Sequence, residues 1–166
     1  MMGSGKSTIG PALADHMQYD FVDTDALIES RGKPIAMIFS EDGEERFRQM
    51  EHETLKDLCA QDRSMVISTG GGMPVWHNGI DIMRNAGTVV YLEVPINQLV
   101  DRLSSSTATR PLLSDSDSLE SRLSSLLQAR EHIYKQADFS IVNDEDTDQI
   151  IRKLQPLIES DQSSSS

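Results

Sequence analysis

Apolar positions recur at two different spacings along the chain, and the alternation between them predicts an order of helix, strand, helix throughout. Over residues 7–16, Ile9, Leu13 and Ala14 fall on one helical face. The run "YDFVDTD" then reads as a strand, and residues 24–31 return to helical spacing until Gly32 stops it. Residues 35–39 and "EERFRQMEHETLKDLCAQ" continue the helical rhythm, and "SMVIS" is a short β-rich run ending at Gly70, Gly71 and Gly72. A helix is expected over 79–85, a strand over "GTVVYLEV" and a helix over "INQLVDRL". A long helix over 119–137, the strand "DFSIVN" and a last helix over about 146–158 complete the pattern.

Repeated alternation of this kind predicts an α/β fold whose parallel sheet is covered by helices on both faces. Residues 104–118 break the rhythm: they are rich in Ser, Thr and Asp without apolar period, and the stretch is expected to be a mobile lid. The end "SDQSSSS" has no apolar residue and is expected to be disordered. The organisation expected is one domain over 1–158, with a lid at about 104–118 and a tail over 159–166.

Composition narrows the function. The chain has 166 residues, 27 acidic against 15 basic, for a net charge of −12. Nucleic acid is held by surplus Lys and Arg, so no nucleic-acid partner is expected. A small anion is still allowed, because screening over about 8 Å at physiological salt lets a local basic cluster outweigh a distant acidic surface. The single cysteine, Cys59, lies in an apolar helical stretch and reads as a packing residue; it has no partner for an internal disulfide. No apolar run is long enough for a membrane span, and a cytoplasmic monomer is expected. His16, His52, His77 and His132 are scattered without metal-ligand spacing.

Chemistry concentrates in six short stretches. "GSGKST" holds most of a phosphate-binding loop, G-x-x-x-x-G-K-[ST], in which backbone N–H groups cradle phosphates at a helix N-terminus. "FVDTD" puts Asp23 and Asp25 at the carboxyl end of a strand, where open parallel sheets bind ligands. One acid there can support Mg²⁺ and the other orient or deprotonate an attacking hydroxyl, while capping of the next helix by Asp25 is the alternative. "GEERFRQME" carries Arg48 among acids that read equally as surface ion pairs, with Phe47 and Arg48 expected to project from different sides of the helix. The glycines of "STGGGM" cost backbone entropy and suit close approach of chain and ligand. "TATRPLLSD" places Arg110 in the lid, where a guanidinium can meet phosphate on closure. In "LQAREHIYKQAD", Arg130 and Tyr134 share a helical face, as a ligand site or an ordinary packing pair.

In order along the chain, "GSGKSTIG", "DTD" followed by "IE", "FR" followed by "E", "STGGGM", "RPLL", and "AR" followed by "Y" and "AD" resemble the shikimate kinase family. The resemblance implies a three-layer P-loop kinase fold and transfer of phosphate from ATP to the 3-hydroxyl of shikimate, with Mg²⁺ as cofactor. It implies that Gly3, Ser4, Gly5, Lys6, Ser7 and Thr8 bind ATP, with Ser7 and Asp23 serving the metal. Asp25 would bind shikimate and act as base, Arg48 and Arg130 would clamp its carboxylate, and Gly71 and Gly72 would line its pocket. Arg110 would neutralise phosphate charge, Lys6 would contact the transferring phosphates, and Arg102 would sit beside adenine. Gluconate kinase shares the loop and scaffold and is the lesser alternative.

The chain departs from the family pattern at its start. Counting back from Gly5 leaves the first loop glycine and the strand before the loop outside residues 1–166. The expectation is that the true start lies upstream of Met1; an inactive kinase-like binding module, or a strand donated by another chain, are the competing readings.

Overall fold

The computed structural model describes residues 1–106 and 116–164. Helix α1, Lys6–Met17, begins where Gly5 adopts φ +88°, a left-handed conformation natural to glycine, and buries Ile9, Leu13 and Ala14. Strand β1, Asp20–Asp23, leads into α2, Thr24–Ser30. A short helix α3, Ile35–Met37, continues as a wider turn over Ile38–Asp42 into α4, Gly43–Cys59. Then come β2, Met65–Ser68, α5, Gly79–Ala86, and β3, Val90–Glu93. Helices α6, Ile96–Ser106, and α7, Ser116–Tyr134, precede β4, Phe139–Val142, and α8, Thr147–Ser164.

All four strands lie where the apolar runs predict them, and their pairings are parallel. β1 pairs with β2 from Asp20 opposite Met65 to Asp23 opposite Ser68, and β3 pairs with β4 from Val90 opposite Phe139 to Glu93 opposite Val142. They form two two-stranded sheets. Between β2 and β3 lies a slot of about 420 Å³, lined by apolar side chains that include Val66, Ile67, Val90, Leu13, Met83 and Ile158. The phosphate loop at residues 1–6 therefore stands without a strand leading into it among the described residues, as the motif count predicts.

Helix boundaries differ from the periodicity in three places. α6 continues to Ser106 and α7 starts at Ser116, so helix takes both ends of the stretch assigned to the lid. Serine and aspartate lower helix propensity by only tenths of a kcal/mol each, about 0.5 relative to alanine, which does not stop a helix already propagating. The middle of that stretch, 107–115, lies outside the described residues. α8 runs past Ile158 to Ser164, since neither Gly nor Pro follows to end it, and the expected unstructured tail is helical over most of its length.

The buried side chains hold these elements in register. Ile9 and Leu13 of α1 pack with Ile141 of β4 and with Ile150, Ile151, Leu154 and Ile158 of α8. Leu55 of α4 packs with Met73 and with Met83 of α5, and Leu99 of α6 packs with Leu123 and Tyr134 of α7. Burying each such aliphatic side chain is worth about 1.5–3 kcal/mol. The cluster of α6 and α7 also takes in Met1, which brings the last turn of α7 against the start of the phosphate loop.

Candidate active site

A cavity of about 590 Å³ opens at the carboxyl ends of β1 and β2. Gly3, Ser4, Gly5, Lys6, Ser7 and Thr8 form one wall of it, and Asp23, Asp25, Arg48, Gly71, Gly72, Arg102 and Arg130 all reach it from other elements. Arg110 lies outside the described residues. The other expected site residues, drawn from six separate stretches of sequence, meet in one place.

The loop wall is tied down from behind. The buried Asn143, just past β4, donates from Nδ2 to the Ser4 carbonyl at 2.7 Å, and Arg102 donates to the carbonyls of Gly3 at 3.3 Å and Asn143 at 3.1 Å. A Cβ at Gly5 would come within 2.5 Å of that Asn143 amide, so the glycine is needed for space as well as for its φ. Lys6 folds back over the loop and donates from Nζ to the Met1 carbonyl at 2.7 Å and to Ser4 Oγ at 3.3 Å. Burial lowers the Lys6 pKa, opposed by the nearby carboxylates of Asp25 and Asp23.

The cap of α2 is Asp23 and not Asp25, the residue for which the sequence leaves capping open. The helix cap is Asp23, whose Oδ1 accepts from the N–H groups of Asp25 and Ala26 at 3.0 and 3.1 Å. The chain is still extended at Asp23, φ −97° and ψ 119°, which is the geometry a capping residue takes. Asp25, in the first turn, has no capping duty. Its carboxyl pKa is raised by loss of hydration and by Asp23, with Lys6 pulling the other way.

Arg48 is drawn into the site. Nη1 donates to Glu51 Oε2 at 2.5 Å and Nη2 to Glu44 Oε1 at 3.0 Å, and the Arg48 side chain is only 15% exposed. Its Cζ lies 5.3 Å from the centre of the Phe47 ring, so the two side chains sit together instead of on different sides of α4. The pull of Glu51 bends the guanidinium towards the loop of glycines, where a Cβ on Gly72 would collide with it. Glu51, 2% exposed, lines the cavity as well; it is the acid of "FR" followed by "E", to which the charge pattern gives no role. Its carboxyl pKa is raised by burial, against the opposing effect of Arg48. Thr24, fully buried, likewise serves the site: its Oγ1 accepts from the Gly70 N–H at 3.1 Å.

The opposite wall comes from α7. Arg130 reaches the cavity, and Tyr134 one turn later donates from its hydroxyl to the Gly71 carbonyl at 2.6 Å. A phosphate cradle, two acids beside its lysine, and two arginines from different helices suit transfer of a phosphoryl group to an acceptor that is itself an anion.

A family model described as shikimate kinase matches residues 2–159. The chain belongs to the shikimate kinase family. It is 45% identical over 150 residues to a shikimate kinase of Chlorobium chlorochromatii, covering 86% of this chain and 78% of that one. Among solved structures it is similar to the shikimate kinase of Bacteroides thetaiotaomicron, with TM-score 0.88 and 34% identity over 96% of this chain and 94% of the other. It is also similar to the shikimate kinase of Acinetobacter baumannii solved in complex with shikimate, with TM-score 0.83 and 32% identity over 96% and 89% of the two chains. The fold is that of the P-loop kinases, and the enzyme is a phosphotransferase. No helix among the described residues is long and apolar enough to cross a membrane.

Proposed function

We propose that this chain transfers the terminal phosphoryl group of ATP to the 3-hydroxyl of shikimate through the residues of the 590 Å³ cavity. The observation that carries this reading is the convergence of Lys6, Asp25, Arg48 and Arg130 on one cavity. The loop N–H groups of residues 3–8 take the phosphates, and Lys6 leaves its resting contact with Met1 to follow the transferring group. Arg48 and Arg130 hold the substrate carboxylate between them, a planar anion that matches the guanidinium fork. Gly71 and Gly72 line the ring between these charges.

Asp25 accepts the proton of the 3-hydroxyl as that oxygen bonds to the γ-phosphorus. The bond from the γ-phosphorus to the bridging oxygen breaks, and ADP leaves with its electron pair. A raised pKa makes Asp25 a better base than an ordinary surface carboxylate. Arg102 stands at the adenine side, joined to Gly3 and Asn143, and Arg110 is assigned to neutralise phosphate charge.

The donor set fits Mg²⁺ delivered with ATP. Such an ion keeps waters and phosphate oxygens as most of its ligands and asks the protein for only one or two oxygens. Ser7 supplies a hydroxyl, and Asp23 retains Oδ2, since its helix cap occupies Oδ1. When bound, the ion neutralises charge on the β- and γ-phosphates. We take the enzyme to act as a monomer in the cytoplasm.

The test is ADP release followed with ATP and Mg²⁺ in the presence of shikimate, gluconate or neither. Release dependent on shikimate supports the reading. Release with gluconate alone assigns the lesser alternative, and a folded chain that binds without releasing ADP is a binding module.

A further inference from the structure

The glycine loop carries a donor whose direction is set from outside the loop. Gly71 and Gly72 line the cavity, and among the described residues neither of their N–H groups has a hydrogen-bond acceptor. A carbonyl and the next residue's N–H belong to one planar peptide unit and point in opposite directions. Whatever holds the Gly71 carbonyl therefore fixes the direction of the Gly72 N–H. That holder is the Tyr134 hydroxyl, 2.6 Å away.

Glycine makes the hold necessary. With no Cβ on either side, the Gly71–Gly72 peptide has little local preference for one orientation over its flip. Tyr134 is well placed to impose one. It is buried at the end of α7, and its ring packs against Tyr91 of β3 with centroids 5.2 Å apart. Other anchors act elsewhere on the loop: Thr24 takes the Gly70 N–H, and Arg48 packs over Gly72 without engaging that peptide's carbonyl.

We infer that Tyr134 is a positioning residue for substrate: it turns the Gly71–Gly72 peptide so that the Gly72 N–H donates to an oxygen of the polyhydroxylated carboxylate acceptor. This rests on the shikimate reading of the cavity and adds a residue that does not itself touch the substrate.

The variant Tyr134→Phe keeps the ring, its packing on Tyr91 and its burial, and removes only the hydroxyl. The KM for shikimate is expected to rise about five- to tenfold, the effect of losing one oriented hydrogen bond, with the KM for ATP unchanged. Shikimate analogues lacking one ring hydroxyl at a time give a second signature. The unaltered enzyme discriminates against one of them, and Tyr134→Phe loses that discrimination. Amide exchange at Gly72 in the unaltered enzyme needs no variant: shikimate is expected to slow it and ATP alone to leave it unchanged. An active enzyme whose shikimate KM is the same in Tyr134→Phe, or whose Gly72 exchange ignores shikimate, overturns the inference while leaving the proposed function standing. A purely structural role would weaken ATP and shikimate alike and also overturns it. An unaltered enzyme that neither binds nor turns over shikimate overturns the proposed function and this inference with it.

Discussion

Arg48 and Glu51 form an ion pair on the wall of the cavity, Nη1 to Oε2 at 2.5 Å, with side-chain exposures of 15% and 3%. Two charges this far from water hold one another in place, and the geometry of the guanidinium depends on the carboxylate beneath it. Glu44, the other partner of Arg48, is 66% exposed and supplies a far weaker hold.

Glu51→Gln is therefore expected to loosen Arg48 and to raise the KM for shikimate by at least about tenfold, while the KM for ATP stays within about twofold. Breaking a buried pair by removing one partner also costs stability, up to about 3 kcal/mol in this partly solvated setting. Steady-state kinetics with each substrate varied in turn, together with thermal unfolding, checks both parts.

Asp25 carries a cost to stability in exchange for its reactivity. Its folded pKa lies above the ordinary carboxylate value because of lost hydration and the neighbouring Asp23. A raised folded pKa means that the protonated form is favoured by folding. The stability it contributes is fully present below the unfolded pKa of about 3.9 and is lost as pH rises through the folded value. Asp25→Asn is expected to abolish turnover yet to be at least as stable as the unaltered chain at pH 7. Its advantage should fade as pH falls below about 4, where both carboxyls are neutral. Thermal unfolding across pH 3.5–7.5, an interval set by those values, measures this. In the active enzyme, the acidic limb of kcat should lie above the range of an unperturbed aspartate.

Asn143 predicts an effect on the other substrate. Its amide donates to the Ser4 carbonyl in a buried position, and its own carbonyl accepts from Arg102. Asn143→Ala leaves the Ser4 carbonyl unpaired, at about 1–3 kcal/mol, and frees the phosphate loop to shift. The KM for ATP is expected to rise severalfold, with little change for shikimate. Nucleotide titration calorimetry gives the direct reading.

The contrast between these residues shows what the sequence made legible. The alternating apolar rhythm placed all four strands, and the motifs named nearly every side chain on the cavity. The identity of the helix cap was ambiguous, because Asp23 and Asp25 flank Thr24 symmetrically and only the backbone at Asp23, still extended, decides between them. Glu51 stands in the stretch "FR" followed by "E", yet among surface-like charges it receives no role of its own. A signal was nevertheless present: Phe47, Glu51, Thr54 and Leu58 share one helical stripe, and a lone acid on an apolar stripe needs a buried partner. Asn143, the polar residue directly after "DFSIV", stood at the carboxyl end of a strand, where ligands bind. The width and lining of the slot between β2 and β3 depend on how α1, α5 and α8 pack around it, which no local pattern records.

The most direct test of the account is the identity of the product. The chain is incubated with ATP, Mg²⁺ and shikimate, and the product is assigned by phosphorus and proton magnetic resonance. The prediction is shikimate carrying phosphate on its 3-oxygen, formed in equal amount to ADP, and absent with folded Asp25→Asn. A folded, nucleotide-binding chain that forms no phosphorylated shikimate, or an Asp25→Asn variant that forms it at an undiminished rate, contradicts the account.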